Sequence, residues 1–397
     1  MKKFICVLLI CTLMLGVMAA CGTKAPEESK TPDQSTAPEG EGTGALDEAN
    51  PVEISMCGAI TGAFSEYGLG YQAATKIQVD KWNENGGING RKIVVKEYDE
   101  KGEIEEGVAI AQKVVVDDKN YGMVGHFWSI MEAGQIYQEY GVPMIGPAAS
   151  TMGFTDIGDY IFRNNPTIKT ETAAMLDCAK AAGLKKLGVY YLASDWGEGS
   201  YEQLKTLVEE RAADGFEIVL AEECLPDATD HSAAISKFAD ADIDAVMMFC
   251  FYDSVCPFCI QAGDKLAGKT IICGVNCYND EFIQLGGQNI ENAMAPLLSV
   301  KSDEDPDMTY FVEKYKELRG GKAPSSLDMQ CYDSVGMLLT AIKNVNGELD
   351  HAAIRDELAG MTYEGVCGTV EFDENRDATK EYIPMVVKDG AWVKFEG

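Results

Sequence analysis

The stretch VEISMCGAITGAFSEYGLGYQAATKIQVDKWNENGGINGRKIVVKEYD, residues 52–99, decides the fold. Val52–Ile60 is a short apolar run with β-branched residues, which predicts a strand, and the glycine-studded residues 61–70 predict a loop after it. From Leu69 the apolar positions change period. Leu69, Ala73, Ala74 and Ile77 fall three and four apart, on one face of an amphipathic helix. Asn83-Glu84-Asn85-Gly86-Gly87 ends that helix, because glycine accepts the left-handed backbone found at helix C-termini, and Asn89-Gly90 turns the chain into a second strand, 92–98. Strand, helix and strand in this order give parallel neighbours joined by a right-handed crossover. The loop after the first strand then lies at the carboxyl edge of the sheet, where open α/β sheets bind ligands.

Working outward, the 397 residues exceed the roughly 250–300 at which one core stops growing, so at least two lobes are expected. Asp and Glu number 64 against 33 Lys and Arg, a formal charge of -31. So acidic a surface repels phosphate backbones and anionic headgroups, which argues against nucleic acid or electrostatic membrane partners.

The N-terminus reads as an address. Met1-Lys2-Lys3 supplies positive charge, 4–20 an apolar run, and Val17-Met18-Ala19-Ala20 leads with small residues into Cys21, so 1–20 is a secretory signal peptide. A cysteine after the small pair looks like a bacterial lipobox, in which Cys21 carries lipid and anchors the protein at the outer face of the cytoplasmic membrane. The alternative is a plain signal peptide containing a cysteine. Residues 21–50 are rich in Pro, Glu, Thr, Ser and Gly, too polar to bury a core, and read as a flexible linker.

Beyond the opening unit, Ile104, Val108, Ala111 and Val115 mark a helix, with Gly107 weakening it, and 121–125 a strand. That strand runs into Gly125-His126-Phe127-Trp128-Ser129; a second, 143–145, runs into Gly146-Pro147-Ala148-Ala149-Ser150. Small polar residues at helix starts present free N–H groups and a positive dipole end, an anion site that a serine hydroxyl can complete. Ordinary N-capping by Ser129 and Ser150 is the competing explanation. Strands and helices alternate again through 187–192, 216–221 and 245–250, implying another parallel sheet.

Several of these segments together resemble the type I periplasmic-binding-protein family, in particular its branched-chain amino acid receptors. The carriers are Gly58-Ala59-Ile60-Thr61-Gly62, Tyr67-Gly68, residues 83–92 closing on Tyr98-Asp99, the crossing at Ile161-Phe162-Arg163-Asn164, Trp196-Gly197-Glu198-Gly199 in place of a Tyr-Gly-Glu-Gly frame, and Gly368–Glu374. The resemblance covers roughly residues 52–395. It implies an α/β fold of two doubly wound parallel-sheet lobes joined by a three-strand hinge, with lobe 1 at 51–167 plus 299–374 and lobe 2 at 168–298 plus 375–397.

By the same resemblance Ser129 with Trp128, and Ala148, Ala149 and Ser150, hold a ligand carboxylate; Tyr67, Trp196 and Tyr252 wall its side chain. For the three aromatics the alternative is packing within their own lobe. Asn276 stands where the family carries a Glu that pairs with the ligand's ammonium, and a neutral amide cannot supply that pair. Either another acid such as Asp195 or Asp253 takes the amine, or the ligand has none, so a carboxylate-bearing solute is better supported than leucine. The implied protein is a monomeric solute-binding receptor of an ABC importer, partnered by a permease, with no cofactor, metal or catalytic residue. A sensor passing occupancy to a signalling protein shares the fold.

Other motifs compete. Gly68-Leu69-Gly70-Tyr71-Gln72-Ala73 matches a dinucleotide fingerprint but sits well past the strand end. Cys256-Pro257-Phe258-Cys259 has the spacing of a redox or zinc knuckle, and Cys273 with Cys277 could complete a metal set, which opens the class of an extracellular thiol enzyme. Free buried thiols and disulfides are the other readings of the ten cysteines beyond Cys21.

Overall fold

The computed structural model describes residues 45–298, 300–302 and 304–397. The signal peptide, Cys21 and the linker up to residue 44 lie outside these residues. Two sheets, parallel except for a closing hairpin on the second, organise the rest.

The first sheet has the order β2-β1-β3-β4-β5, every pair parallel. Its strands are β1 (Asp47–Gly58), β2 (Arg91–Asp99), β3 (Asn120–Gly125), β4 (Met144–Gly146) and β5 (Ile161–Arg163), with α1 (Ser65–Glu84), α2 (Ile104–Val114) and α3 (Ile130–Tyr140) as crossovers. The opening unit is therefore strand, helix and parallel strand as the period change predicts. Two boundaries differ. β1 reaches back to Asp47, an exposed extension into the segment read as linker. α1 starts at Ser65, so residues read as loop up to Gly70 are helical.

The glycines that suggested that loop are packing residues. A Cβ on Gly68 would lie 2.2 Å from the Ala59 carbonyl, and one on Gly70 would lie 1.9 Å from Asp328 Oδ1. Their role is to let α1 press against β1 and a later helix, which excludes the phosphate-binding reading of Gly68–Ala73.

The second sheet has the order β14-β13-β10-β9-β8-β6-β7. β6 (Lys186–Leu192), β7 (Glu217–Cys224), β8 (Ala245–Phe249), β9 (Thr270–Cys273) and β10 (Met294–Leu298) run parallel, with α4 (Ile168–Ala181) leading in and α5 (Asp195–Glu210), α6 (Ser232–Asp240), α7 (Tyr252–Ala262) and α8 (Asp280–Gly286) between them. After β10 the chain returns to the first sheet. There α9 (Pro306–Leu318), α10 (Ser326–Asn344) and α11 (His351–Ala359) share a core with α1, Phe311, Tyr332, Val335 and Leu339 being wholly buried among Ile54, Tyr71 and Ala74. The short hairpin β11 (Thr362–Gly365) and β12 (Gly368–Glu371) follows, and the last hairpin, β13 (Tyr382–Lys388) and β14 (Ala391–Lys394), adds antiparallel to β10 across a turn at Asp389-Gly390, both at positive φ.

Arg163, at the end of β5, is 1% exposed and ties one crossing to another. Its Nε donates to Asp377 Oδ1 at 2.7 Å, while Nη1 donates to the carbonyls of Ala149 and Thr151, both at 2.9 Å. The loop after β4 is thus fixed to the chain that runs between the sheets.

Candidate functional site

Loops from the carboxyl edges of both sheets enclose a cavity of about 370 Å³. From the first sheet come Phe127, Trp128, Ile130, Met131 and Glu132 after β3, and Ala148–Thr151 after β4. The second contributes Ala193–Trp196 after β6, Phe251 after β8, and Val275 and Asn276 after β9. Asn165 on the crossing, Glu171 of α4, Ile104 of α2 and Leu327 of α10 complete the wall. A volume of this order suits a solute of a dozen or so heavy atoms.

Six of the predicted site residues line it: Trp128, Ala148, Ala149, Ser150, Trp196 and Asn276. Trp196 belongs to the first turn of α5, where Ser194 caps the helix by accepting from Gly197 N–H, and its ring stacks on Phe251 at 5.1 Å. Tyr67 and Tyr252 stand behind the cavity instead. Tyr67 stacks on Phe127 at 5.1 Å and meets Tyr252 at 6.1 Å, so the pair forms an aromatic seam between α1 and α7.

Ser129 is buried and does not line the cavity. The anion site at the start of α3 exists, and Glu100, wholly buried at the end of β2, fills it. Glu100 Oε1 accepts from the N–H groups of Phe127 and Trp128 at 2.7 and 2.8 Å, and Oε2 accepts from the Ser129 hydroxyl at 2.6 Å. His126 Nδ1 lies 3.2 Å from Oε2. Burial opposes ionisation of Glu100, but His126, Ser129 and the Trp128 N–H outweigh it and hold the carboxyl below the ordinary range. The Ser129 hydroxyl donates to this internal carboxylate, and it makes no capping bond to α3. Ser150 heads no helix, and its side chain faces the cavity without a hydrogen bond to any described residue.

Three acids that line the cavity, Glu132, Glu171 and Asp195, and the amide Asn165 were missed or only half seen. Glu171 is 7% exposed, and its Oε1 accepts from Val275 N–H at 2.8 Å. Burial raises its carboxyl above the ordinary range, with that N–H as the one opposing contribution. Asn165 is 3% exposed, with Oδ1 buried and unpartnered. Asp195 reaches the cavity and Asp253 does not. No local pattern marked Glu171, since an acid in the first turn of a helix is ordinary.

The cysteines behave as core residues. All ten described ones are free and buried, so neither a disulfide nor a zinc set of Cys256, Cys259, Cys273 and Cys277 is formed among the described residues. Burial pushes the Cys256 thiol up to about 12, the reverse of what a reactive thiolate needs. The one group of potential metal ligands that converges among the described residues, Cys57, Glu100 and His126, is wholly buried, with the Glu100 and His126 polar atoms already hydrogen-bonded.

Contacts outside the cavity lining join the two halves. Lys322, between α9 and α10, pairs with Glu66 of α1 at 2.8 Å and with Glu281 of α8 at 2.5 Å, while Ala323 N–H donates to Asp280 Oδ2 at 3.0 Å.

Two parallel sheets that turn their carboxyl-edge loops toward one shared cavity define a two-lobed solute-binding receptor. The comparisons agree. Residues 51–391 match the family model described as periplasmic binding protein. A leucine-, isoleucine-, valine-, threonine- and alanine-binding protein of Pseudomonas aeruginosa is 26% identical over 337 residues, 83% of this chain and 87% of the relative. The branched-chain amino acid transporter substrate-binding protein LivJ of Streptococcus pneumoniae, solved with isoleucine, superposes with a TM-score of 0.76 at 25% identity, over 86% of this chain and 97% of that one. A solute-binding protein of an ABC transporter from Rhodopseudomonas palustris, solved with 3,4-dihydroxybenzoic acid, shares the fold at 22% identity, with a TM-score of 0.77 over 87% of this chain and 96% of that one. The chain belongs to the periplasmic binding protein family, whose members are extracytoplasmic solute receptors rather than enzymes. Among the described residues no helix is long and apolar enough to cross a membrane.

Proposed function

We propose that the protein is the receptor of an ABC importer and captures one amino acid or related small solute between its lobes, releasing it unchanged to a permease. The observation that carries this is the cavity of about 370 Å³ enclosed by loops of both sheets, in a chain of this family. Trp128, Trp196, Phe127 and Phe251 supply apolar walls; Ser150, with the backbone of the Ala148–Thr151 loop, supplies hydrogen bonds for a carboxylate. Arg163 holds that loop through the Ala149 and Thr151 carbonyls.

Closure of the lobes follows from the same arrangement. The solute touches both halves, so it favours the form in which both are close, and the Lys322 bridge assists. The receptor acts as a monomer tethered by lipid on Cys21. A thermal-shift screen against the proteinogenic amino acids tests the proposal, since a ligand present at 100 times its Kd adds about 2.7 kcal/mol. Stabilisation by a small subset of similar side-chain size is expected. A flat screen would reject the amino acid assignment.

A further inference from the structure

The charge of the cavity is one-sided. Glu132, Glu171 and Asp195 line it, and among the described residues no Lys, Arg or His does. The strongest anion site nearby, the start of α3, is taken by Glu100. What remains is a wall of oxygen acceptors and aromatic faces, which attracts a cation and repels an anion without a positive partner of its own.

Within that wall Glu171 is the group short of partners. It is more than nine-tenths buried, its Oε1 has one N–H, and its Oε2 has no hydrogen bond to any described residue. The protein alone therefore compensates a buried carboxylate with a single neutral donor, whereas Glu100 receives four. Gly274 brings the loop after β9 against it: a Cβ there would lie 2.7 Å from Glu171 Oε1 and 3.7 Å from Asn276 Oδ1, so both oxygens flank the same glycine. An independent sign of a ligand comes from Asn165, which lines the cavity with its Oδ1 buried and unpartnered and so offers a further acceptor where the protein supplies no donor.

We infer that Glu171 is the counter-ion for a primary ammonium on the captured solute, with the side-chain oxygens of Asn276 and Asn165 as its neutral companions. Glu171 reaches the loop that carries Asn276 from α4. This rests on the receptor reading and deepens it: the solute is an amine-bearing compound, an amino acid in the first instance, and an amine-free acid of the same skeleton is rejected. Of the two alternatives that a neutral Asn276 leaves open, an acid elsewhere in the site or a solute without an amine, this takes the first.

The test is calorimetric titration of the protein, stripped of bound solute by unfolding and refolding, with each proteinogenic amino acid and with the matching 2-oxo acid. An amino acid is expected to bind with one-to-one stoichiometry, and its 2-oxo acid on the order of 30-fold more weakly or worse. Glu171→Gln keeps the acceptor for Val275 N–H and should cost a similar factor for the amino acid while leaving the 2-oxo acid unaffected. Asn276→Asp, made alone and with Glu171→Gln, checks the site even where the first variant folds poorly. Alone it should tighten amino acid binding, and in combination it should recover part of the loss. Equal binding of the 2-oxo acid, or a folded Glu171→Gln protein whose amino acid affinity is unchanged, overturns the assignment of Glu171 and leaves the receptor standing. No heat from either series removes the receptor reading for this solute class, and the inference with it.

Discussion

Glu100 offers the sharpest perturbation of the first sheet's binding edge. Its two oxygens take four donors with no exposure to solvent, from Phe127 N–H, Trp128 N–H, Ser129 Oγ and His126 Nδ1. In Glu100→Gln the amide oxygen can keep both backbone donors, and the new NH₂ can face Ser129 and His126, which are able to accept. What goes is the charge. Bonds to a charged acceptor contribute about 1.5–3 kcal/mol against about 1 for neutral ones, so two backbone bonds weakened in this way cost about 2 kcal/mol. Glu100→Ala leaves the Phe127 and Trp128 N–H groups buried without an acceptor, while Ser129 Oγ and His126 Nδ1, 2.9 Å apart, keep only each other, and should cost about 4 kcal/mol.

Thermal and urea unfolding followed by circular dichroism read these numbers. The carboxyl is held below its ordinary range, so its contribution is complete above the unfolded value of about 4.3 and fades as pH falls through the lower folded value. The gap between wild type and Glu100→Gln should therefore be full at neutral pH and close under acid. Ser129→Ala belongs in the same set: it should lower stability with little change in solute affinity. An Ala variant at 100 within 1 kcal/mol of wild type, or a Ser129→Ala protein of normal stability that binds tenfold more weakly, would refute the placement of Glu100 in the anion site.

Two further outcomes follow from packing and from the contact between the halves. Gly107→Ala gains about 1 kcal/mol of helix propensity in α2, but its Cβ would fall 1.8 Å from Ser129 Oγ, so the melting temperature should drop rather than rise; a rise would show that α2 has room to move. Lys322→Ala removes the partly exposed ion pair to Glu281 that joins the halves, worth about 0.5 kcal/mol, so solute Kd should increase roughly twofold, with wild type approaching the variant at high salt; an unchanged, salt-insensitive Kd would show that the bridge does not favour the closed form.

Much of the architecture was legible because it is written locally. The shift from apolar run to a spacing of three and four, the Asn-Gly stop and the second strand state the crossover unit within fifty residues. The misplaced start of α1 has a tertiary cause: Gly68 and Gly70 look like loop residues, yet they are glycines because Ala59 and Asp328 lie where a Cβ would go. The site was legible where loops carry it, at Trp128, Ala148–Ser150, Trp196 and Asn276. It was illegible where distant chain fills it. Glu100 follows Asp99 like any acid in a turn, and its meeting with 127–129 depends on the neighbouring ends of β2 and β3 on either side of β1. Glu171 reaches Val275 across 104 positions, and only the folded sheet makes them neighbours.

The central claim is that one solute sits between loops of the two sheets. Hydrogen exchange by mass spectrometry, with and without an amino acid that stabilises the protein, tests it most directly. Slowed exchange confined to 127–132, 148–151, 193–196, 251 and 274–276, on both sheets at once, is predicted at one equivalent of solute. Protection of one sheet's loops alone, or protection elsewhere on the surface with the cavity unchanged, would contradict it.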